Sequence, residues 1–239
     1  MQPVTQGAKL RLGGFVSLSS CDWPGELAAT VFCQGCPWRC RYCHNPHLLG
    51  ARPSGPVQWP DVVALMRRRV GLLDGLVFSG GEPTVQRSLS AAIREIRALG
   101  FRIGLHTAGP YPDRLNAILP SLDWVAFDVK APFDNYAGIT AVCGSGGHAN
   151  ESLRAVIASG VPYEVRTTVH PQLLDSRDLS VLAESLAGMG VMHYTLQGCR
   201  VDGCLDATLA PAPPGQVTAL AELLRGRFPH MKIAMRNLD

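Results

Sequence analysis

The sequence predicts an α/β fold, a parallel sheet covered by helices, and three observations predict it. Strand-like apolar runs alternate with amphipathic helix-like runs through most of the chain. The strand runs are near-continuously apolar, as strands buried on both faces are. Six principal strands are too few for an eight-fold barrel, so a partial, TIM-like (β/α)6 barrel fits the count. A Rossmann-like open sheet fits the alternation alone. The first buried strand, however, runs into cysteines rather than a G-x-G-x-x-G turn, which argues against dinucleotide binding. One domain over residues 1–239 is expected, with a short extension at 1–12 and a less regular C-terminal segment at 198–239.

In order, residues 15–18 read as a short strand or hairpin leading to the turn at Pro24-Gly25. Residues 27–32 are the first buried strand. A cysteine-rich loop, 33–47, follows at its C-terminal end, where parallel α/β barrels build their sites. Residues 53–60 form a Pro/Gly-rich connector. A helix over 61–70 carries Val62, Val63, Leu65 and Met66, and a strand over 75–79 ends in Gly80-Gly81-Glu82-Pro83. Residues 85–99 place Leu89, Ala92, Ile93 and Ile96 on one helical face, and Gly100 stops that helix. A strand at 101–106, a short helix at 113–119 and a strand at 124–129 come next. Residues 131–149 read as a long loop containing Cys143-Gly-Ser-Gly-Gly147, followed by a helix at 151–159 with Asn150 as N-cap. Strand 162–169, helix 176–186, strand 191–196, helix 216–227 and a short strand 231–235 complete the chain. No internal repeat is present.

With 46% hydrophobic residues among 239, the chain can bury a sizeable core. Charged residues are 17%, below the roughly 25% of an average soluble chain, consistent with a surface partly covered by a partner. A net charge of +3 is too small to argue for nucleic acid. The basic run Arg67-Arg68-Arg69 reads as a solvated helix face. No stretch approaches the ~20 apolar residues of a membrane span, and the N-terminus has no apolar core of signal-peptide length. Eight cysteines, three of them tightly clustered, favour a metal site in a reducing cytoplasm over a disulfide framework.

Those three, Cys36, Cys40 and Cys43, form a C-x3-C-x2-C spacing, with Gly35 and Pro37 bending the backbone beside them. Thiolates suit iron–sulfur clusters and zinc. Three cysteines on a four-iron cluster leave one iron open to bind a cofactor or substrate. Cys33 adds a fourth thiol, and C-x2-C-x3-C-x2-C could instead cap a closed electron-transfer cluster or a structural zinc ion. Against that, Cys33 ends an apolar strand, where a cysteine behaves as a small hydrophobe.

The triad, with Tyr42 just before its last cysteine, resembles the signature of the radical S-adenosylmethionine (radical SAM) family. Phe78-Ser-Gly80-Gly81-Glu82-Pro83 matches that family's GGEP motif. The resemblance extends to Asp22-Trp-Pro24-Gly25, Cys43-His44-Asn45-Pro46, Asp128-Val-Lys130, Ile139-Thr140 and Tyr163-Glu-Val-Arg166-Thr-Thr, which look like the activating enzymes of glycyl-radical proteins. In pattern these are nearest to the activating proteins of anaerobic ribonucleotide reductase. The resemblance implies the partial barrel of the radical SAM type, one [4Fe–4S] cluster on Cys36, Cys40 and Cys43, and S-adenosylmethionine (SAM) as the second cofactor. It also implies reductive cleavage of SAM, a glycyl radical formed on a partner enzyme, and a one-electron donor such as flavodoxin or ferredoxin. Neither nucleic acid nor membrane is implied as a partner. Two other readings are a radical SAM enzyme acting on a small molecule, such as a 7-carboxy-7-deazaguanine synthase, and a non-enzymatic iron–sulfur electron carrier.

The resemblance places Tyr42, Cys43 and His44 beside the cofactor and gives Gly80, Gly81 and Glu82 the SAM amino group. An ordinary strand-to-helix turn with a Glu cap is the other account of those three. Asp128 and Lys130, two apart on an extended segment, share a face. The family puts both at the SAM site, and a mutual ion pair is compatible with that. Arg166 inside an apolar strand is costly unless paired or bound to an anion; the alternatives are Glu164 on the same face and a clamp on SAM. His170 and Gln197 follow the fifth and sixth strands, in reach of adenine or a peptide. His106 stands where relatives often carry Asp, and hydrogen-bonding in the core is its favoured role. Cys199 and Cys204 are read as loop cysteines, a redox pair or ligands of a second cluster. The glycines at 144–147 lack the Lys-Ser/Thr of a P-loop and read as a loop ordered by a partner.

Overall fold

The computed structural model describes residues 9–52 and 57–236. Residues 1–8 of the N-terminal extension and 53–56 of the connector lie outside the described residues. The chain forms two compact units, the first built from residues up to Pro37, His47–Thr107 and Asp113–Val125, the second from Trp38–Pro46, Ala108–Pro112 and Ala126–Asp239.

In the first unit β1 (Leu12–Ser19) pairs antiparallel with β2 (Ala28–Cys33). β2 then pairs in parallel with β3 (Gly75–Gly80), and β3 with β4 (Arg102–Thr107). The register sets Cys33 opposite Gly80 and Phe78 opposite Leu105. Ala28, Ala29, Val31, Leu76, Val77, Phe78, Ile103 and Leu105 are fully buried, which explains the apolar runs read from the sequence. α1 (Trp59–Arg68) buries Val62, Val63 and Met66, and α2 (Leu89–Arg97) buries Leu89, Ala92, Ile93 and Ile96. α2 starts later than expected because Gln86 breaks the helix with an extended backbone, ψ 117°. Its side-chain amide donates to the carbonyls of Arg11 and Gln34 instead. Trp23 stacks on Trp124 with ring centres 5.7 Å apart. α3 (Pro112–Ile118) buries Leu115 and Ile118, and β5 (Trp124–Asp128) passes from this unit into the second.

In the second unit β6 (Tyr163–Val169) pairs in parallel with β7 (His193–Gly198), and β7 with β8 (Lys232–Arg236). α6 (Ser176–Gly188) is opened by a reciprocal capping box between Asp175 and Asp178. α7 (Gln216–Arg227) follows a left-handed Gly215.

The segment 131–149 corrects the sequence reading. It is helical, not a loop: a 3-10 turn at Phe133–Asn135 leads into α4 (Tyr136–Thr140), and α5 runs Ser145–Ser159. Asn150 is not an N-cap; it lies within α5 and accepts from Arg154 Nε at 2.9 Å. Glycine is a poor helix former, so the run Ser145-Gly-Gly147 hides the helix start. Close packing explains part of it, since a Cβ on Gly146 would lie 1.8 Å from the Phe133 carbonyl oxygen. The Ser145 hydroxyl donates to the Val142 carbonyl at 2.7 Å and lies 2.7 Å from the Thr140 hydroxyl. Gly146→Ala is therefore expected to cost about 1–3 kcal/mol in urea unfolding. Gly147, whose added Cβ meets nothing within 4 Å, should tolerate Ala at no cost. Equal effects at both positions would rule out contact as the cause.

Candidate active site

In the first unit the cysteine loop begins directly from β2. Cys33 is that strand's last residue and is fully buried. Burial, with the Glu82 carboxylate nearby, pushes its thiol far above the ordinary cysteine range, so Cys33 is a protonated core group. The GGEP segment is bonded to the same stretch: Gly81 N donates to the Cys33 carbonyl at 2.9 Å and Glu82 N to the Gly35 carbonyl at 2.8 Å. Gly80 adopts φ +111°, and a Cβ there would sit 2.3 Å from Cys33 N; one on Gly81 would sit 2.5 Å from Gly35 O. Both glycines are required for this close approach. With those N–H groups committed, the chemistry the segment offers a cationic ammonium is that of its carbonyl oxygens. Cys36 follows, half-buried, its N–H donating to Leu49 O at 3.2 Å.

Glu82 is 2% exposed and caps the 3-10 turn Pro83–Val85. Its Oε1 accepts from Thr84 N at 3.0 Å, Thr84 Oγ1 at 2.6 Å and Thr107 Oγ1 at 2.8 Å. Glu82→Ala removes the acceptor of all three and should cost about 2–3 kcal/mol of stability. Glu82→Gln keeps an acceptor oxygen and should cost distinctly less by the same urea titration; identical losses would contradict this role. His106 takes the core role favoured for it. Its Nε2 donates to the Asp22 carbonyl at 2.7 Å, which leaves Nδ1 to accept from the Ser79 hydroxyl at 3.1 Å.

In the second unit the rest of the loop is held by backbone bonds. Arg39 N donates to Thr140 O and Arg41 N to Ile139 O, and Trp38 meets Tyr136 edge-on at 5.7 Å. Cys40 is buried, and Cys43 is half-buried with its N–H on the Cys40 carbonyl at 2.9 Å. Burial raises the Cys40 thiol, with the Lys130 ammonium opposing. Around it stand Tyr42, Asp128, Lys130 and Tyr136. Lys130 Nζ lies 5.7 Å from the Tyr42 ring centre and 3.8 Å from Asp128 Oδ2. Burial works against the Lys130 charge, but Tyr42, Cys40 and Asp128 outweigh it and hold the ammonium well above its usual value. The Tyr136 hydroxyl accepts from Lys130 N at 3.0 Å and donates to Asp128 O at 3.4 Å, fixing the turn after β5.

Arg166 meets Glu164, the partner its spacing offers, only at long range and pairs more closely with Asp128. Its Nε donates to Asp128 Oδ1 at 3.0 Å, whereas the nearest approach to Glu164 is 3.9 Å. Glu164 is instead gripped in two-pronged fashion by Arg236 of β8, at 2.9 and 3.0 Å. No sequence spacing announces that pair; it follows from the order β6-β7-β8. Two buried or half-buried cations, Lys130 and Arg166, thus share one carboxylate. The group carries a net positive charge, suited to an anionic ligand. Gln197 lies on β7, opposite Thr168 of β6. His170 is fully buried, donating from Nε2 to Ala210 O at 2.8 Å and accepting at Nδ1 from Gln172 N, so both ring nitrogens pin a loop. His44 is exposed and stands with Cys199 and Cys204, a grouping invisible in the sequence because 155 positions separate His44 from Cys199.

The radical SAM superfamily model matches residues 30–179, more than half of the chain. The chain belongs to that superfamily and is an enzyme of the radical SAM class. Over 225 residues it is 28% identical to a protein of Methanocaldococcus jannaschii named as a glycyl-radical enzyme activating enzyme, covering 90% of each. It is 29% identical over 174 residues to the pyruvate formate-lyase-activating enzyme of Clostridium pasteurianum, covering 70% of this chain and 72% of that one. Among solved structures, Streptococcus suis SuiB bound to S-adenosylmethionine superposes with a TM-score of 0.68 at 11% identity. The match covers 84% of this chain and 48% of SuiB, so this chain spans about half of that protein. Such likeness shows the fold class, the α/β partial-barrel type of the superfamily. Its cofactors are a [4Fe–4S] cluster on three cysteines and SAM, and the residues present fit both. The donor set is soft, none of the eight cysteines is in a disulfide, and the Lys130 ammonium acts on Cys40 while sharing Asp128 with Arg166. No helix among the described residues is long and apolar enough to cross a membrane.

Proposed function

We propose that this chain activates a glycyl-radical enzyme, and that the partner is anaerobic ribonucleotide reductase. The near-full-length match to a protein named for glycyl-radical activation carries the reading, and the charged group around Cys40, where Lys130 and Arg166 share Asp128, supports the SAM site within it.

Cys36, Cys40 and Cys43 would hold the cluster, and Cys33 remains a core thiol. Carbonyl oxygens of Gly80 and Gly81, in a turn fixed by the buried Glu82 carboxylate, would accept from the SAM amino group. Lys130 and Arg166 receive its carboxylate, and Asp128 both orients them and accepts from ribose hydroxyls. Tyr42, Cys43 and Gln197 line the remainder of the cofactor. When bound, the cluster and SAM would supply one-electron reductive chemistry directed at a glycine Cα–H of the partner. The protein contributes orientation and exclusion of water and oxygen. A flavodoxin- or ferredoxin-class protein supplies the electron, in a reducing cytoplasm that keeps the thiols free.

Anaerobically reconstituted protein, given SAM and dithionite, should release 5′-deoxyadenosine and methionine. With a candidate reductase present, the EPR doublet of a glycyl radical should appear on the partner. No 5′-deoxyadenosine would indicate an electron carrier. Its release without a doublet, across candidate glycyl-radical enzymes, would indicate a small-molecule substrate.

A further inference from the structure

We propose that Cys199, Cys204 and His44 form a second metal centre, one that holds a zinc-type divalent ion and leaves a coordination position open. This goes beyond the activating reaction and does not depend on the identity of the partner. The ligand atoms of the three residues all lie within 4.8 Å of one another. In a tetrahedral zinc site, sulfur and nitrogen donors stand about 3.5–3.8 Å apart, so closure by about 1 Å completes the set. The three groups also aim at one point. His44 Nε2 is hydrogen-bonded to the Arg200 carbonyl, and the thiols of Cys204 and Cys199 donate to that same oxygen at 3.0 and 3.5 Å. One cation can replace protons directed at one position.

The backbone is shaped for this. β7 ends at Gly198, and a turn through a left-handed Gly203, closed by Cys204 N on Val201 O at 3.1 Å, brings the second cysteine back toward the first. The same loop is fastened to the cysteine loop. Leu205 N donates to Cys43 O and Asp206 N to Arg41 O, both at 2.9 Å, and the Arg41 and Asp206 side chains pair at 2.7 Å. His44 is thus presented to the two thiols by bonds that do not involve it. A cavity lined by His44, Cys199, Arg200, Asp202 and Pro211 gives solvent access, the route for a water or other fourth ligand. Two thiolates and one imidazole with an open position is a three-ligand zinc pattern. Two thiols are too few for a four-cysteine cluster. Binding displaces two thiol protons to solvent, moves the imidazole proton to Nδ1, and changes no oxidation state. The ion would tie the loop after β7 to the residue following Cys43.

The test is metal analysis of the full-length holoprotein purified without oxygen. Wild type should carry one zinc per chain in addition to cluster iron. Cys199→Ser and Cys204→Ser should each reduce zinc at least tenfold while iron is retained. Titration of zinc-free wild type with Co²⁺ should give the intense visible bands of tetrahedral thiolate coordination, a readout that needs no variant. Three results would overturn the proposal: zinc unchanged in both variants, iron lost together with zinc, or Cys199 and Cys204 recovered as a disulfide without metal.

Discussion

Cys40→Ala is expected to leave the protein without its cluster and unable to cleave SAM, whereas Cys33→Ala keeps four irons and activity. The contrast follows from where the two thiols sit. Cys33 is the last residue of β2, fully buried, and its thiol is driven far up by burial and by Glu82. A cluster ligand must be a thiolate, and no cation stands beside Cys33 among its charge partners. Cys40 is also buried, but the Lys130 ammonium acts on it in the direction that favours a thiolate. Cys33→Ala removes one buried heavy atom, a loss of about 1 kcal/mol, too little to unfold the domain. Iron determination on the reconstituted variants separates the readings. Loss of iron on replacing Cys33 would restore the closed, four-thiol cluster.

Lys130→Met is expected to weaken SAM binding about 10–100-fold, the equivalent of one charged hydrogen bond of about 1.5–3 kcal/mol. Stability should change by less than about 1 kcal/mol. The asymmetry arises because Asp128 keeps Arg166 at 3.0 Å and its side chain is 35% exposed, so no carboxylate is stranded. Met preserves most of the aliphatic stem against Tyr42 and removes the burial cost of the ammonium. Equilibrium binding of SAM to the reconstituted, unreduced protein, beside a urea titration, reads both quantities. Unchanged affinity would make Lys130 a purely structural partner of Asp128.

The sequence made the alternation of strands and helices legible because buried parallel strands carry no polar face. β2, β3 and β5 are apolar along most of their length, whereas β6 and β7 interleave polar residues. The cysteine triad and Gly80-Gly81-Glu82 were legible for a different reason, the chemistry confined to a short span. What could not be read depends on neighbours distant in sequence. Glu164 is an obvious partner for Arg166 by spacing, yet Arg236, 72 positions away, takes it. Gly146 looks like a loop residue until Phe133 is placed against it. His44 looks like an appendage of Cys43 until the loop after β7 folds back beside it. Glu82 is the cap that one of its two readings offers, but its bond to Thr107, 25 positions away, could not be read from the sequence.

An iron left open by three cysteines and filled by SAM is the centre of the proposed chemistry. The most direct measurement is the EPR spectrum of the reduced, reconstituted protein recorded with and without SAM. A change in the cluster signal on adding SAM, absent when methylthioadenosine, which lacks the amino-acid end, is added in its place, is the predicted result. A spectrum identical with and without SAM would contradict the account.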